Sequence, residues 1–300
     1  MKATGETRRR GEPTALPGVA VEIVASLAAH RALSARQVRD LHLPGAGVRW
    51  SQRVLARIAA AGLADHTRAT GAPQRLWFAT EEGVRVAVDA GVLPRAPRPT
   101  RAADVRGPLR AHTATVNDAA IAFLRAARER GEDFGPLAWR HEVAHPLRPG
   151  ARGRRARWLI ADAVLTYLRL TDDEVLIEQR FLEADRATLP VDALAAELAR
   201  YAELFHAVGR DKEPVWRPRY PVFPGVVCVL AGGSREALGR RRDTVLALLR
   251  AKPQLTRTTE VSVRVCLLED LIARGPYAPI FHGLREPGRE VDWIGREGEG

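Results

Sequence analysis

The chain has 300 residues, the length of one large or two ordinary domains, and carries 47 Lys+Arg against 36 Asp+Glu, a formal net charge of +11. At 46% hydrophobic residues it can bury a real core, which excludes global disorder, and apolar runs such as 226–231 fall far short of the roughly 20 residues a membrane-spanning helix needs. Two cysteines, Cys228 and Cys266, are too few for a disulfide framework or a cysteine-built zinc site. No charged-then-apolar leader opens the sequence, so a cytoplasmic location is expected. Residues 1–110 hold 18 Lys+Arg against 9 Asp+Glu, whereas residues 111–300 hold 29 against 27. Nearly all the excess positive charge thus lies in the first third, a pointer to nucleic acid or another anionic surface.

Residues 1–16 lack an apolar period and read as a mobile basic arm. Val19, Ile23, Val24 and Leu27 recur at helical spacing. Ser34 followed by Gln37 is a capping box that opens a short second helix with Val38 and Leu41 inward. A third helix is predicted over 48–61, with Val54, Leu55 and Ile58 apolar and Gly62 as its stop. Two strands, 63–67 and 74–79, flank a turn-rich segment, and Thr80 caps a helix over 81–90. Three helices, a hairpin and a helix form the winged helix-turn-helix order, in which the third helix enters the major groove. The residues expected to meet double-stranded DNA are Arg49, Ser51, Gln52, Arg53 and Arg57 on that helix, with Arg68 and Arg75 on the wing. This unit is assigned to residues 17–91, and the Pro- and Arg-rich stretch 92–108 to a solvated linker.

Residues 109–274 read as an α/β domain. A helix is predicted over 109–130, then strands over 137–143, 157–170 and 174–184, with a basic turn-rich connection over 148–157. A helix follows from Pro190 to about residue 208, then a buried strand over 225–231, a helix capped by Ser234 and a strand over 261–268. Residues 275–300 read as an irregular tail. The order α-β-β-β-α-β resembles the PD-(D/E)xK, restriction-endonuclease-like core. Asp162 lies in its second strand, and Glu183 and Asp185 share one face of the third by the two-residue strand period. Three converging carboxylates would suit Mg2+ or Mn2+, with Asp162 and Glu183 as first ligands and Glu142 as a candidate fourth acid. The motif's lysine position holds Asp185, and the whole chain has only three lysines. Arg186 follows but would point to the opposite face of an ideal strand. The alternative is that Glu183 and Asp185 form ion pairs with Arg157, Arg180 or Arg186.

The segments 33–38 (LSARQV), 55–63 (LARIAAAGL), 110–118 (RAHTATVND), 161–163 (ADA) and 181–186 (FLEADR) together resemble the replication-relaxation family of bacterial proteins. The resemblance implies DNA binding in plasmid or mobile-element replication and DNA relaxation. It marks His112, Asn117 and Asp118, with Glu183, Asp185 and Arg186, as the most specific blocks. The sequence departs from the family pattern at 187–190 (ATLP) and at Glu197, which weakens a catalytic reading. His112, Asn117 and Asp118 are expected either beside the carboxylates or in capping and interdomain hydrogen bonds. Three functions stay open: a DNA-binding protein with a degenerate nuclease-like domain, a metal-dependent endonuclease or nickase, and a protein-interaction module. Self-association or replication proteins are the expected protein partners.

Overall fold

The computed structural model describes residues 18–67, 75–102, 105, 108–148, 157–171 and 174–297. The expected basic arm, the segment with Arg68 expected to form a wing, and most of the 148–157 connection lie outside the described residues. The chain is a mixed α/β protein with two sheets. No helix among the described residues is long and apolar enough to cross a membrane.

The first part contains α1 (Ala20–Ala29), β1 (Leu33–Ser34), α2 (Ala35–His42), α3 (Val48–Ala60), β2 (Ala64–Thr67), β3 (Leu76–Ala79) and α4 (Glu81–Asp89). The capping box forms at α2: Ser34 Oγ accepts from the Gln37 amide at 3.2 Å, and Gln37 Oε1 accepts from the Ser34 amide at 2.9 Å. Thr80 caps α4 through the Gly83 amide at 3.0 Å. Gly83 is required there, because a Cβ at that position would stand 2.0 Å from the Leu63 carbonyl oxygen. The small sheet has the antiparallel order β1-β3-β2. Sequence reasoning missed β1, because a two-residue strand carries no readable period.

The larger sheet follows α5 (Pro108–Arg130). Its strands are β4 (Trp139–Pro146), β5 (Trp158–Leu170), β6 (Val175–Asp185), β7 (Gly225–Leu230), β8 (Val263–Leu267), β9 (Phe281–Gly283) and β10 (Glu290–Val291). Their spatial order is β10-β9-β8-β7-β6-β5-β4. The β4-β5-β6 meander is antiparallel, while β6, β7 and β8 run parallel. The crossovers are α6 (Val191–His206) and α7 (Arg235–Arg250), with short helices α8 (Pro253–Thr256) and α9 (Leu268–Arg274) flanking β8. Leucines and valines of α6 and α7 share one core with Phe181, Cys228 and Val265, so both crossovers cover the same face.

The opposite face packs on α5 and α9. A continuous core runs from Ile23, Leu27 and Leu55 through Val116 and Phe123 of α5 to Trp139, Tyr167 and Trp293. The expected solvated linker is partly wrong: Leu93 joins this core, and Val105 is buried with Ala32, Leu76 and Phe78. The expected irregular tail also needs correction. Residues 281–283 and 290–291 extend the sheet, and Trp293 is fully buried, 5.2 Å from the Phe123 ring. These strands are too short for a period to show, and the sheet supplies their partners.

Candidate functional site

The β5 and β6 strands pair from Leu170↔Val175 to Ala163↔Leu182, and no further. Beyond that point β5 stays with β4 while β6 stays with β7. The sheet forks there, and Asp162 stands in the fork. Its Oδ2 accepts from the Ala184 amide at 2.9 Å, so a side chain satisfies a backbone donor that the ladder has abandoned. The ladder is also interrupted on the other side. The partners of Glu142 and Asp162 are skipped between His141↔Ala163 and Val143↔Ala161, and Glu142 has φ 48°.

A cleft of about 360 Å³ opens at the fork, lined among others by His112, Asp162, Glu183, Asp185, Arg186 and Glu197. The N-terminal part of α5 brings His112 Nε2 to 3.0 Å from Asp162 Oδ1. The hydrogen bond to Asp162 raises the His112 pKa above its ordinary value. Glu183 is buried and accepts from the Tyr201 hydroxyl of α6. Burial, and then the charge of Asp162, push Glu183 well above the usual carboxylate range, favouring its neutral form. Glu197 is raised for the same two reasons, in the same order.

Asp185 has a different fate. Arg241 of α7 forks onto it, Nε to Oδ2 at 2.6 Å and Nη2 to Oδ1 at 3.1 Å, and also donates to the Leu189 carbonyl at 2.8 Å. The Asp185 side chain is only 3% exposed. The three arginines expected as alternatives are not the partner. Arg157 pairs with Glu203 and Arg180 with Glu178, while Arg186 lines the cleft beside His112. The strand ends at Asp185, so strand alternation does not govern Arg186. The sequence did hold a signal for Arg241. It stands three residues after Leu238 and four before Val245, on the inward face of α7, where an arginine requires an acid.

Mg2+ or Mn2+ would need several free oxygen donors. Asp162 is engaged by His112 and the Ala184 amide, Glu183 accepts from the Tyr201 hydroxyl, and Asp185 is bound by Arg241. Among the described residues, no three His, Cys, Asp or Glu side chains group so as to hold a metal ion. The donor set does not fit such an ion.

The other marked residues of α5 separate from the cleft. Asn117 is fully buried, donating to the Ala32 carbonyl at 3.1 Å, with its Oδ1 2.9 Å from His141 Nε2. Asp118 accepts from Arg36 at 2.7 Å and from Gln37 at 2.8 Å. Glu142 pairs with Arg31, which follows α1. These three tie the first part of the chain to α5 and β4, and only His112 reaches the carboxylates.

On α3, Arg49, Gln52, Arg53 and Arg57 are exposed, and so is Arg75 just before β3. Ser51 is a correction. It is fully buried, and its hydroxyl lies 2.8 Å from the Ala35 carbonyl oxygen and 2.8 Å from the Val48 carbonyl oxygen. Positions 51, 54, 55 and 58 form the inward stripe of the helix. Trp50, which sequence reasoning passed over, is 36% exposed next to Arg49.

A family model described as replication-relaxation matches residues 24–216. The chain belongs to the replication-relaxation family. The matched stretch includes α2, α3, His112, Asn117, Asp118 and the Asp162 and Glu183 strands, and ends before Arg241. No curated protein matches the chain. Among solved structures, protein VC1899 from Vibrio cholerae aligns at 11% identity with a TM-score of 0.30, over 86% of this chain and 50% of that one. The chain therefore spans half the length of that protein, and a likeness this weak says nothing about a shared fold.

Proposed function

We propose that this replication-relaxation family protein binds duplex DNA of a plasmid or other mobile element. In this reading residues 17–91 form a winged helix and residues 109–274 a degenerate restriction-endonuclease-like domain that serves assembly or docking during replication. The observation that carries it is the division of α3. Arg49, Gln52, Arg53 and Arg57 face solvent, while Ser51, Val54, Leu55 and Ile58 face the core. A solvent-facing row of arginines and a glutamine supplies donors for phosphates and for guanine or adenine edges. The sheet order β1-β3-β2 behind it supports a wing, with Arg75 beside its tip.

The test is DNA affinity measured across a salt series for wild type and for Arg53→Glu with Arg57→Glu. If each arginine meets one phosphate, the log–log salt slope should fall by about 2 and affinity should drop at every salt. Unchanged affinity would remove α3 as the docking element. Supercoiled plasmid incubated with Mg2+ or Mn2+ separates the nuclease reading, with Asp162→Ala as control. The degenerate reading expects no nicking that this substitution abolishes.

A further inference from the structure

A second cleft, of about 490 Å³, opens where the first part of the chain meets α5 and β4. The end of α1, β3, the linker at 97–100, the first turns of α5 and the middle of β4 all contribute to its lining. Its charged lining among the described residues is Arg31, Arg98 and Arg110 against the single acid Glu142. His141 adds no charge, because burial above all lowers its pKa well below the ordinary value. Glu142 is engaged by Arg31, and both stand at positive φ, 48° and 66°. Left-handed backbone is unfavourable for a residue with a Cβ, so the surroundings and not local preference hold this pair in place. The lining therefore keeps an excess of permanent cations. Arg110 and Thr113 stand in the first two turns of the 23-residue α5, whose amino end also favours an anion.

The cleft is not polar throughout. Ala32, Leu76 and Val105 line it and pack together in one apolar cluster, and Pro97 and Pro99 of the linker add apolar rings. Its volume falls within the roughly 300–1,000 Å³ of small-molecule sites, more than a bare inorganic anion would fill. We propose that this cleft binds the phosphate monoester of a nucleotide. Arg98 and Arg110 hold the phosphate, Arg31 is fixed beside them by Glu142, and the apolar lining receives the base. Two sources carry such a group, a free mononucleotide and the phosphorylated end of a DNA strand. Because both parts of the chain line the cleft, an occupant ties them together and stabilises the folded protein by mass action. The inference does not depend on DNA docking by α3, whose arginines lie outside this lining.

The experiment uses the full chain and deoxyadenosine monophosphate (dAMP) as the probe, followed by isothermal titration calorimetry and by melting temperature. Inorganic phosphate and deoxyadenosine are its two halves. Wild type is expected to bind dAMP saturably and to melt higher with it. Phosphate should bind more weakly, and deoxyadenosine not at all. Arg98→Gln, at an exposed position, should weaken dAMP binding by at least about tenfold, the loss of one charge-assisted hydrogen bond. Arg110→Gln should do the same. Arg95→Gln, exposed on the same linker but outside the lining, should bind dAMP as wild type does, and so should Arg53→Glu with Arg57→Glu on α3. In that α3 variant, blunt DNA duplexes with and without terminal phosphates compete against dAMP. Competition by the phosphorylated duplex alone assigns the monoester to a DNA end, and competition by neither assigns it to a free nucleotide. Both results uphold the cleft as a phosphate monoester site.

The absence of saturable dAMP binding by wild type at millimolar concentration would overturn the proposal. So would deoxyadenosine binding as tightly as dAMP, or equal competition by both duplexes. Undiminished binding by Arg98→Gln rejects it as well. Should Arg110→Gln fail to fold, Arg98→Gln decides by itself, because its side chain is exposed. Equal weakening by Arg95→Gln would reduce the effect to general charge and reject the cleft as the site.

Discussion

Asn117→Leu tests how the two sheets are joined. Asn117 sits wholly buried in α5, between the end of α1 and strand β4. Its Nδ2 donates to the Ala32 carbonyl at 3.1 Å, and its Oδ1 lies 2.9 Å from His141 Nε2. Two weaker contacts, to the His30 carbonyl and from Trp139 Nε1, are both 3.4 Å. Leucine keeps the branched shape but removes both polar ends, leaving the Ala32 carbonyl and the His141 ring without this partner. A buried polar group left unsatisfied costs about 1–3 kcal/mol, so the two strong contacts together represent about 2–6 kcal/mol. At about 4 kcal/mol and about 2–4 °C per kcal/mol, the melting temperature should fall by roughly 8–16 °C. Urea unfolding and calorimetry measure the loss, with Gln52→Leu on the exposed face of α3 as the control. Tryptic cleavage within the described linker, at Arg95 or Arg101, should accelerate in the same variant, because the contact it loses holds the end of α1 to α5. A loss no larger than that of the control, with unchanged cleavage, would refute the view that this amide couples the two parts.

The remaining predictions address single residues. Ser51→Ala should cost about 1 kcal/mol of stability by urea unfolding, since its hydroxyl bonds helix carbonyls, while leaving the salt slope of DNA binding unchanged; a changed slope would return Ser51 to the DNA surface. His30 stacks on Trp139 with ring centroids 3.7 Å apart, and burial lowers its pKa to about 3. Because the folded value lies below the unfolded one of 6.5, the unfolded state protonates first; the stability it contributes is present above pH 6.5 and lost as pH falls toward 3. Unfolding between pH 6.5 and 4 should therefore lose about 1.4 kcal/mol per pH unit from this group, and His30→Gln should flatten the profile by that slope; parallel profiles would contradict a buried neutral His30. Trp293→Ala should cost about 3–5 kcal/mol by calorimetry, as expected of a buried tryptophan, and a loss below about 1 kcal/mol would show that the tail does not complete the core.

Much of the architecture was legible in the residues. The capping box at Ser34 and Gln37, the Thr80 and Ser234 caps, and the inward stripes of α1 and α3 are local features, set by neighbours three or four positions apart. The meander, the crossover helix and the parallel strand followed from element order. Strands of two or three residues did not, because a period cannot be read from so short a stretch. Their formation rests on a sheet edge built by distant residues.

The site divides along the same line. The sequence by itself placed Asp162, Glu183 and Asp185 on adjoining strands and put nearly all the excess positive charge in the first third of the chain. It could not show that β5 leaves β6 at Ala163, because a fork is a property of two ladders at once. Nor could it choose which of many arginines meets Asp185. The choice fell on Arg241, 56 positions away, because the α7 crossover carries that position over the end of β6. Asp118 likewise went to Arg36 and Asn117 to the end of α1, while His112, one to two turns earlier on the same helix, went to Asp162. Residue identity and local spacing determined which groups needed partners. Only the tertiary structure decided which partners they obtained, since pairing depends on distances between elements that have no separation fixed by the sequence.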